Sequence, residues 1–447
     1  MSTRSSLALA LLATSSLAAC GSTASAPAEG AGGDTGGEPP GAVAPQMLSG
    51  PSNTFLEAET SIAVTADGVV AAAYIGESFH STNGYNFSLD DGQSWQAGQR
   101  LDSPGGIEAS DPVLTADPSG NLYMVWLGFK RDASGQNPSN FRMWVAKAAA
   151  GTTQFVDPVQ VGAGVLGTAD QLDKPWITTL ADGALLATFA RTSTGGVLSA
   201  RSDDAGQSWD VTTISEDGRS FANLAYPCQA ADTGRTYVVY IYSAGFGAPS
   251  VRLQWSDDRG DSWPSDNVLD VQASGEPTAF EDPTCVASGN DVWVSYGLSG
   301  DSLFGSMSRS PKLDAVRVAH SSDGGVSVAD RVDAHDGAAG RYFSHPQLAR
   351  TATGALELVY YAGQSDGDTA GTLVHARSED GGATFAPSEV IASPITLSFD
   401  RASQLWLGDY VGVAAARDSL YVSYVDNTRS SMQGPTSHVA VWRGPAR

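Results

Sequence analysis

The stretch Ser256-Asp-Asp-Arg-Gly-Asp-Ser-Trp263 is one of five octets that share a template, with serine first, aspartate third, glycine fifth and an apolar residue eighth. The other four are Ser88–Trp95, Ser202–Trp209, Ser321–Val328 and Ser378–Phe385. A weaker copy at Ala148–Phe155 keeps only the final aromatic ring, and with it the six octets begin 54 to 65 residues apart. A motif that returns at such an interval indicates a repeated supersecondary unit.

A second repeat runs in phase with the octets. Each copy is an apolar segment, a turn rich in Gly, Asp or Asn, and a segment rich in Val and Tyr, which is the pattern of a β-hairpin. The seven copies are Ser61–Tyr74, Pro112–Trp126, Pro175–Phe189, Pro227–Tyr242, Pro283–Tyr296, Pro346–Tyr361 and Tyr410–Val425. Proline begins five of them, and a sheet tolerates proline at the first position of a strand. Seven copies predict an all-β chain with seven four-stranded blades in a single β-propeller.

The octets resemble the Asp boxes, or bacterial neuraminidase repeats, of the sialidase-like superfamily. The resemblance implies that each octet is a structural turn between the third and fourth strands of a blade, with its aromatic ring wedged into the core. It gives structural roles to Asp90, Trp95, Asp204, Trp209, Asp258, Trp263, Asp323, Asp380 and Phe385. Sialidases have six blades, and six is therefore the alternative to seven.

The last blade lacks a strand at the end of the chain. Tyr410–Val425 supplies two strands and His438–Arg443 a third, and the sequence ends at Arg447. We expect residues around Gln46–Leu48 to provide the fourth strand, which would close the ring and remove its exposed edges.

The N-terminal residues predict export. Leu7–Leu12 is an apolar run too short to span a bilayer. It leads to Leu17-Ala-Ala-Cys20, which resembles the lipobox of bacterial lipoproteins; an ordinary signal peptide that contains a cysteine and a chance apolar start are the alternatives. We therefore expect residues 1–20 to be a signal peptide ending at a lipidated Cys20, residues 21–45 a disordered Gly/Ala/Ser/Pro tether, and residues 46–447 the propeller. The lipid would be the only contact with the membrane of the cell envelope.

Composition excludes some partners. The formal net charge is −24 and the chain has four lysines, which argues against nucleic acid and against docking on anionic lipid. Beyond Cys20, only Cys228 and Cys285 remain, at the starts of consecutive predicted hairpins. An exported chain favours a disulfide between them, and two separate buried thiols are the alternative. We expect a monomer.

Polar residues occupy the starts of the predicted innermost strands, where ring geometry would gather them at one mouth of the central channel. They are Glu59, Asp111, Asp173, Lys174, Glu281, Asp282, His345, Asp409 and Tyr410. One interpretation is a site for a polar ligand such as a sugar, or for a cation such as Ca²⁺, the only cofactor considered. The other is that each carboxylate caps its own turn or binds the backbone of a neighbouring blade, with His345 a structural histidine.

The resemblance to sialidases does not extend to their catalytic residues. Sialidases clamp the substrate carboxylate with three arginines, the first in a Phe/Tyr-Arg-Ile-Pro motif, and no arginine lies between Ser5 and Gln99 here. Arg191, Arg341 and Arg401 match none of the family's positions. We therefore expect a propeller that binds an extracellular glycan or protein on its loop-rich face; an extracellular glycoside hydrolase without sialidase activity is the alternative, and no catalytic residue is assigned.

Overall fold

The computed structural model describes residues 42–48, 57–76, 82–132, 138–216, 218–245, 247–300, 312–364, 370–398, 405–431 and 434–446. The predicted signal peptide, Cys20, nearly all of the tether and Arg401 lie outside these ranges. All the regular structure in them is β-strand, so no described segment is a helix that could cross a membrane.

The strands form seven antiparallel four-stranded sheets, which are the blades of a propeller. Blade 1 contains β2 (Ala58–Val64), β3 (Val70–Gly76), β4 (Thr82–Ser88) and β5 (Gln99–Leu101). Blade 2 contains β6 (Glu108–Ala116), β7 (Leu122–Arg131), β8 (Pro138–Ala148) and β9 (Val156–Gln160). Blade 3 contains β10 (Leu172–Thr179), β11 (Leu185–Arg191), β12 (Gly196–Ser202) and β13 (Asp210–Ser215). Blade 4 contains β14 (Ser220–Gln229), β15 (Thr236–Ala244), β16 (Ser250–Ser256) and β17 (Val268–Asp270).

Blade 5 contains β18 (Thr284–Ser288), β19 (Asp291–Leu298), β20 (Ala315–Ser321) and β21 (Asp330–Asp333). Blade 6 contains β22 (Tyr342–Arg350), β23 (Leu356–Gly363), β24 (Ala370–Ser378) and β25 (Glu389–Thr396). Blade 7 contains β26 (Gly412–Ala416), β27 (Ser419–Ser431), β28 (Gly434–Pro445) and β1 (Val43–Met47). The prediction of seven blades is therefore confirmed, and the six-blade alternative is wrong.

The ring closes through β1, which pairs with β28. The closing strand begins at Val43, so the last three residues of the stretch predicted as tether belong to the sheet. Their sequence, Val43-Ala-Pro45, has the composition of the tether. These residues form a strand because they lie beside β28, a partner far away in the sequence.

Seven apolar clusters fill the seven interfaces between consecutive blades. At the first interface, Tyr85 and Phe87 of blade 1 pack with Met124 and Trp126 of blade 2. Every residue of β3 is buried, because each sheet has a neighbour on both faces. First strands of consecutive blades contact one another, so these strands line the axis.

The five octets form one kind of turn after the third strand. In the octet of blade 3, the Ser202 hydroxyl donates to Asp204 Oδ1 at 2.8 Å and its oxygen accepts the N–H of Gly206, also at 2.8 Å. Asp204 Oδ1 accepts the N–H of Ser208 at 2.9 Å, and Oδ2 accepts the Ser208 hydroxyl at 2.6 Å. The aspartate's oxygens are thus used within the turn, as a structural role requires.

Backbone conformation explains the glycines of the template. The fourth and fifth residues of each octet both have positive φ, for example 64° at Arg259 and 92° at Gly260. A left-handed conformation is costly for residues with a Cβ atom. Where two successive residues adopt it, as the fourth and fifth residues of the octet do, glycine is favoured at the fifth position. In blades 5 and 6 the fourth residue is glycine as well.

Cys228 and Cys285 form a disulfide, with their Cα atoms 5.9 Å apart. It joins β14 and β18, the axial strands of blades 4 and 5. The covalent bond therefore crosses the blade interface at the axis.

The two octet tryptophans of blades 3 and 4 are buried to different extents. Trp263 is 7% exposed and donates its indole N–H to Ser199 Oγ of the preceding blade at 2.8 Å, whereas Trp209 is partly exposed and donates to Gly206 in its own turn. We expect Trp263→Ala to lower the free energy of unfolding by about 3–5 kcal/mol and Trp209→Ala by less. Denaturant unfolding measures both, and equal losses would show that the contact with the neighbouring blade adds nothing.

Glu57 lies at the closure of the ring, where Oε2 accepts the N–H of Val439 at 2.8 Å and lies 4.0 Å from His438 Nδ1. Burial raises the pKa of Glu57 from 4.5 to about 8, against the opposing effect of the Val439 hydrogen bond. A raised pKa means that the folded state keeps a proton that the unfolded state loses, so this residue lowers stability as pH rises from about 4.5 to about 8.

Glu57→Gln should therefore gain stability relative to the natural protein between pH 5 and pH 8.5. The matched control is Glu379→Gln, because the side chain of Glu379 is 75% exposed. Thermal unfolding at the two pH values measures the difference, and a gain at Glu57 no larger than at Glu379 would contradict the assignment.

Candidate functional site

A bulge interrupts the axial strand near its start in five blades. The pairing of the first strand with the second shifts register at the same place in blades 1, 2, 3, 4 and 6. One residue in each bulge has positive φ; the five are Glu59 (48°), Asp111 (51°), Lys174 (50°), Leu224 (57°) and His345 (54°). Bulges re-aim side chains, and strained backbone of this kind clusters at functional sites. We call the end of the channel at these residues the mouth.

Lys174 is the cation at the centre of the mouth. Its Nζ lies 3.0 Å from Glu59 Oε1 and 2.5 Å from Asp409 Oδ2, so a residue of blade 3 reaches carboxylates of blades 1 and 7. Burial opposes the charge, but the carboxylates of Asp409, Glu59, Asp111 and Asp173 outweigh it and hold the pKa of Lys174 well above its usual value. The lysine therefore stays charged and connects three blades across the axis.

Glu59 and Asp111 form a carboxyl pair beside this lysine. Glu59 is fully buried and Asp111 is 4% exposed. Burial and the charge of Asp111 raise the pKa of Glu59 well above its usual value, although Lys174 acts in the opposite direction. Glu59 Oε1 binds Lys174, and its buried Oε2 has no hydrogen-bond partner among the described residues. The raised pKa favours the protonated form of Glu59, as for one member of the paired carboxyl groups in some active sites.

Aromatic rings lie against this charged group. Lys174 Nζ is 5.9 Å from the centre of the Tyr410 ring. The Trp176 ring lies between two tyrosines, 5.2 Å from Tyr410 and 4.6 Å from Tyr226. Burial and the charges of four carboxylates raise the pKa of Tyr410 well above its usual value, so it remains a neutral phenol. Those carboxylates are Glu59, Asp111, Asp282 and Asp409.

His345 has a structural environment. Its Nε2 lies 2.7 Å from the carbonyl oxygen of Gly408, its Nδ1 hydrogen-bonds to Ser344, and its backbone N–H donates to Glu281 Oε1 at 2.6 Å. Glu281 of blade 5 therefore binds the backbone of blade 6. This agrees with the interpretation that an acidic residue at the start of an axial strand binds the backbone of a neighbouring blade. The histidine fixes the segment that carries Asp409.

The structure thus brings six of the nine candidate residues into one group and places Asp173, Glu281 and His345 beside it. The six are Glu59, Asp111, Lys174, Asp282, Asp409 and Tyr410. Asp173 accepts the N–H of Lys174 at 3.1 Å, and His345 holds the backbone behind Asp409. Sequence reasoning missed Trp176, Tyr226 and Leu224, because an apolar residue in a strand gives no signal that separates a channel lining from the core.

The arginines lie elsewhere. Arg191 pairs with Glu216 and Asp170, and Arg341 is exposed at the start of blade 6, so neither takes part in the group around Lys174. In the described residues, no three His, Cys, Asp or Glu side chains are arranged to hold a metal ion. The ammonium group of Lys174 occupies the position between Glu59 and Asp409 that a cation would need, so these residues do not fit Ca²⁺.

No protein-family model and no curated protein matches the chain. Solved structures do match. A protein of unknown function from Dyadobacter fermentans is 14% identical, with 90% of this chain and 98% of that chain covered and a TM-score of 0.51. An ulvan lyase, from a new family of polysaccharide lyase, is 13% identical over 89% of this chain and 95% of that chain, with a TM-score of 0.56. The endosialidase of phage phi92 is 10% identical, with 90% of this chain and 69% of that chain covered and a TM-score of 0.52. The likeness establishes a shared propeller fold.

Proposed function

We propose that this chain is a glycan-binding propeller that holds a neutral or cationic sugar at its mouth. The observation that carries the proposal is the group around Lys174, where polar side chains from four blades meet at one end of the channel, three of the blades contributing them from bulges. The structural neighbours include a polysaccharide lyase and an endosialidase, which is consistent with a glycan as ligand.

Burial favours binding over catalysis. Glu59, Asp111, Asp282 and Tyr410 are each at most 4% exposed, so a substrate bound at the mouth would not reach them without a rearrangement. Asp173 and Lys174 are partly exposed. A ligand would meet this polar rim above a rigid floor, and sugar hydroxyls suit it because they both donate and accept hydrogen bonds.

Charge limits the class of ligand. Carboxylates outnumber the single lysine in this group, and their field repels anionic sugars. Recognition of a sialic acid carboxylate favours preorganised, bidentate arginines, whereas Arg191 is paired with two acidic residues away from the group. Sialosides and uronate polymers are therefore expected to bind weakly and not to turn over.

A glycoside hydrolase is the second candidate, and the Glu59–Asp111 pair is the observation that favours it. A carboxylic acid that keeps its proton is the general acid that glycosidic cleavage needs, and a nearby carboxylate is the usual second group. This function would require opening of the mouth to expose Glu59.

We also propose that the protein is exported and that a lipid on Cys20 holds it at the cell envelope. The sequence Leu17-Ala-Ala-Cys20 and the small, polar composition of residues 21–42 support this location. A propeller at the cell surface would meet glycans directly.

The test is a glycan array on the chain from residue 21, followed by calorimetric titration of each ligand found. We expect neutral or amino sugars to bind, and Asp173→Asn to weaken binding about tenfold through loss of a charged contact at the rim. The matched control is Asp257→Asn, because Asp257 is 61% exposed in the octet of blade 4, away from the mouth.

Equal effects of the two variants would place the ligand outside the mouth. If no glycan on the array binds and the chain captures a protein instead, a protein ligand would be favoured. Hydrolysis of a neutral oligosaccharide that Glu59→Gln abolishes would establish the second candidate.

A further inference from the structure

A small cavity lies on the channel axis below the mouth. Its volume is about 80 Å³, and the axial strands of six blades line it, with blade 5 the exception. Thr60 of the lining directly follows Glu59, and Trp176 lies two residues after Lys174. The cavity is therefore the next layer of the channel after the charged group.

Two hydrogen-bond donors in the cavity lining have no partner within the part of the chain that the structure describes. The indole N–H of Trp176 and the amide nitrogen of Gln347 are both buried and unbonded, in residues that are 8% and 4% exposed. They belong to blades 3 and 6, which lie on opposite sides of the ring. A buried donor without an acceptor is unfavourable enough that native proteins rarely leave one dry.

The hydroxyl groups of Thr60 and Ser61 in the cavity lining are already bonded. The Thr60 hydroxyl donates to the carbonyl oxygen of Ser423 at 2.6 Å, and its oxygen accepts the N–H of Gly412 at 3.2 Å. Ser61 Oγ accepts the N–H of Leu114 at 2.9 Å. A molecule in the cavity must therefore supply acceptor atoms to Trp176 and Gln347.

Size and charge limit what that molecule can be. A cavity of about 80 Å³ has room for two or three waters at about 30 Å³ each, and it is too small for a sugar ring. The carboxylates of Glu59 and Asp409 are close in sequence to lining residues and disfavour an anion. We propose that the cavity is a specific hydration site, in which a cluster of two or three waters accepts hydrogen bonds from Trp176 and Gln347.

This site positions the mouth and does not depend on the ligand proposed above. Gln347 lies two residues after His345, which holds the carbonyl oxygen of Gly408 beside Asp409. Trp176 lies two residues after Lys174, which binds Asp409. Waters between Trp176 and Gln347 link the strand of Lys174, which binds Asp409, to the strand of His345, which binds the preceding residue Gly408.

The test compares two apolar substitutions of buried glutamines. Gln254→Met is the control, because its amide nitrogen donates to the carbonyl oxygens of Trp263 and Pro264 at 3.3 and 3.2 Å and its oxygen accepts the Tyr240 hydroxyl. Loss of those bonds should raise the unfolding equilibrium constant. Gln347→Met should raise it as well, by about five- to tenfold, because the waters lose a donor. If the cavity holds no water, Gln347→Met should instead lower the unfolding equilibrium constant, because the substitution removes an unbonded donor.

A crystal structure of the protein grown with bromide separates the possible guests. Water density within hydrogen-bonding distance of Trp176 Nε1 and Gln347 Nε2, without anomalous signal, is the expected result. Anomalous bromide density in the cavity, or an empty cavity, would overturn the proposal.

Discussion

Each sheet of this protein needs a neighbour on both faces. Strands such as β3, in which every residue is buried, leave no face that water could cover, and the seven apolar clusters each require two blades. Such a set of sheets is stable only when the ring closes, because an open ring would expose two apolar faces at once. Pairing of β1 with β28 and the buried contacts of Glu57 with Ser437 and Val439 complete the closure.

Ring closure also creates the mouth. It brings the first strands of the blades to one axis, so residues far apart in sequence become neighbours there: Lys174 is 115 residues from Glu59 and 235 residues from Asp409. Glu59, Asp111 and Lys174 lie in bulges at this axis, and the positive charge of Lys174 compensates the buried carboxylates around it. A buried charge without a partner would cost several kcal/mol. The result is a rigid polar floor with little affinity for anions. We therefore favour a neutral or cationic sugar as ligand.

Much of the fold could be predicted from local patterns. The octets and the hairpin copies each contain their own turn, as in Ser202 and Asp204, so their geometry depends on residues a few positions apart. The positions of Cys228 and Cys285 at the starts of consecutive hairpins in a chain expected to be exported are enough to favour a disulfide, and the structure joins them. Contacts between residues far apart in the sequence were harder to predict. Val43–Pro45 looks like tether until β28 is beside it, and Trp176 and Gln347 carry no sign of an axial cavity. The polar strand starts identified the residues of the mouth, but only the fold shows that Lys174 pairs with Asp409 and that His345 is structural.

The most direct test of this account is a double-mutant cycle on Lys174→Met and Asp409→Asn, read as the free energy of unfolding. If Lys174 compensates the carboxylates of the mouth, Lys174→Met leaves Asp409 buried without its cation, and Asp409→Asn removes one of the two ion pairs of Lys174. The double variant then loses less stability than the sum of the two single variants. We predict a coupling energy of about 2 kcal/mol, within the range measured for residues in contact. Additivity to within about 0.5 kcal/mol would contradict the central role of this ion pair.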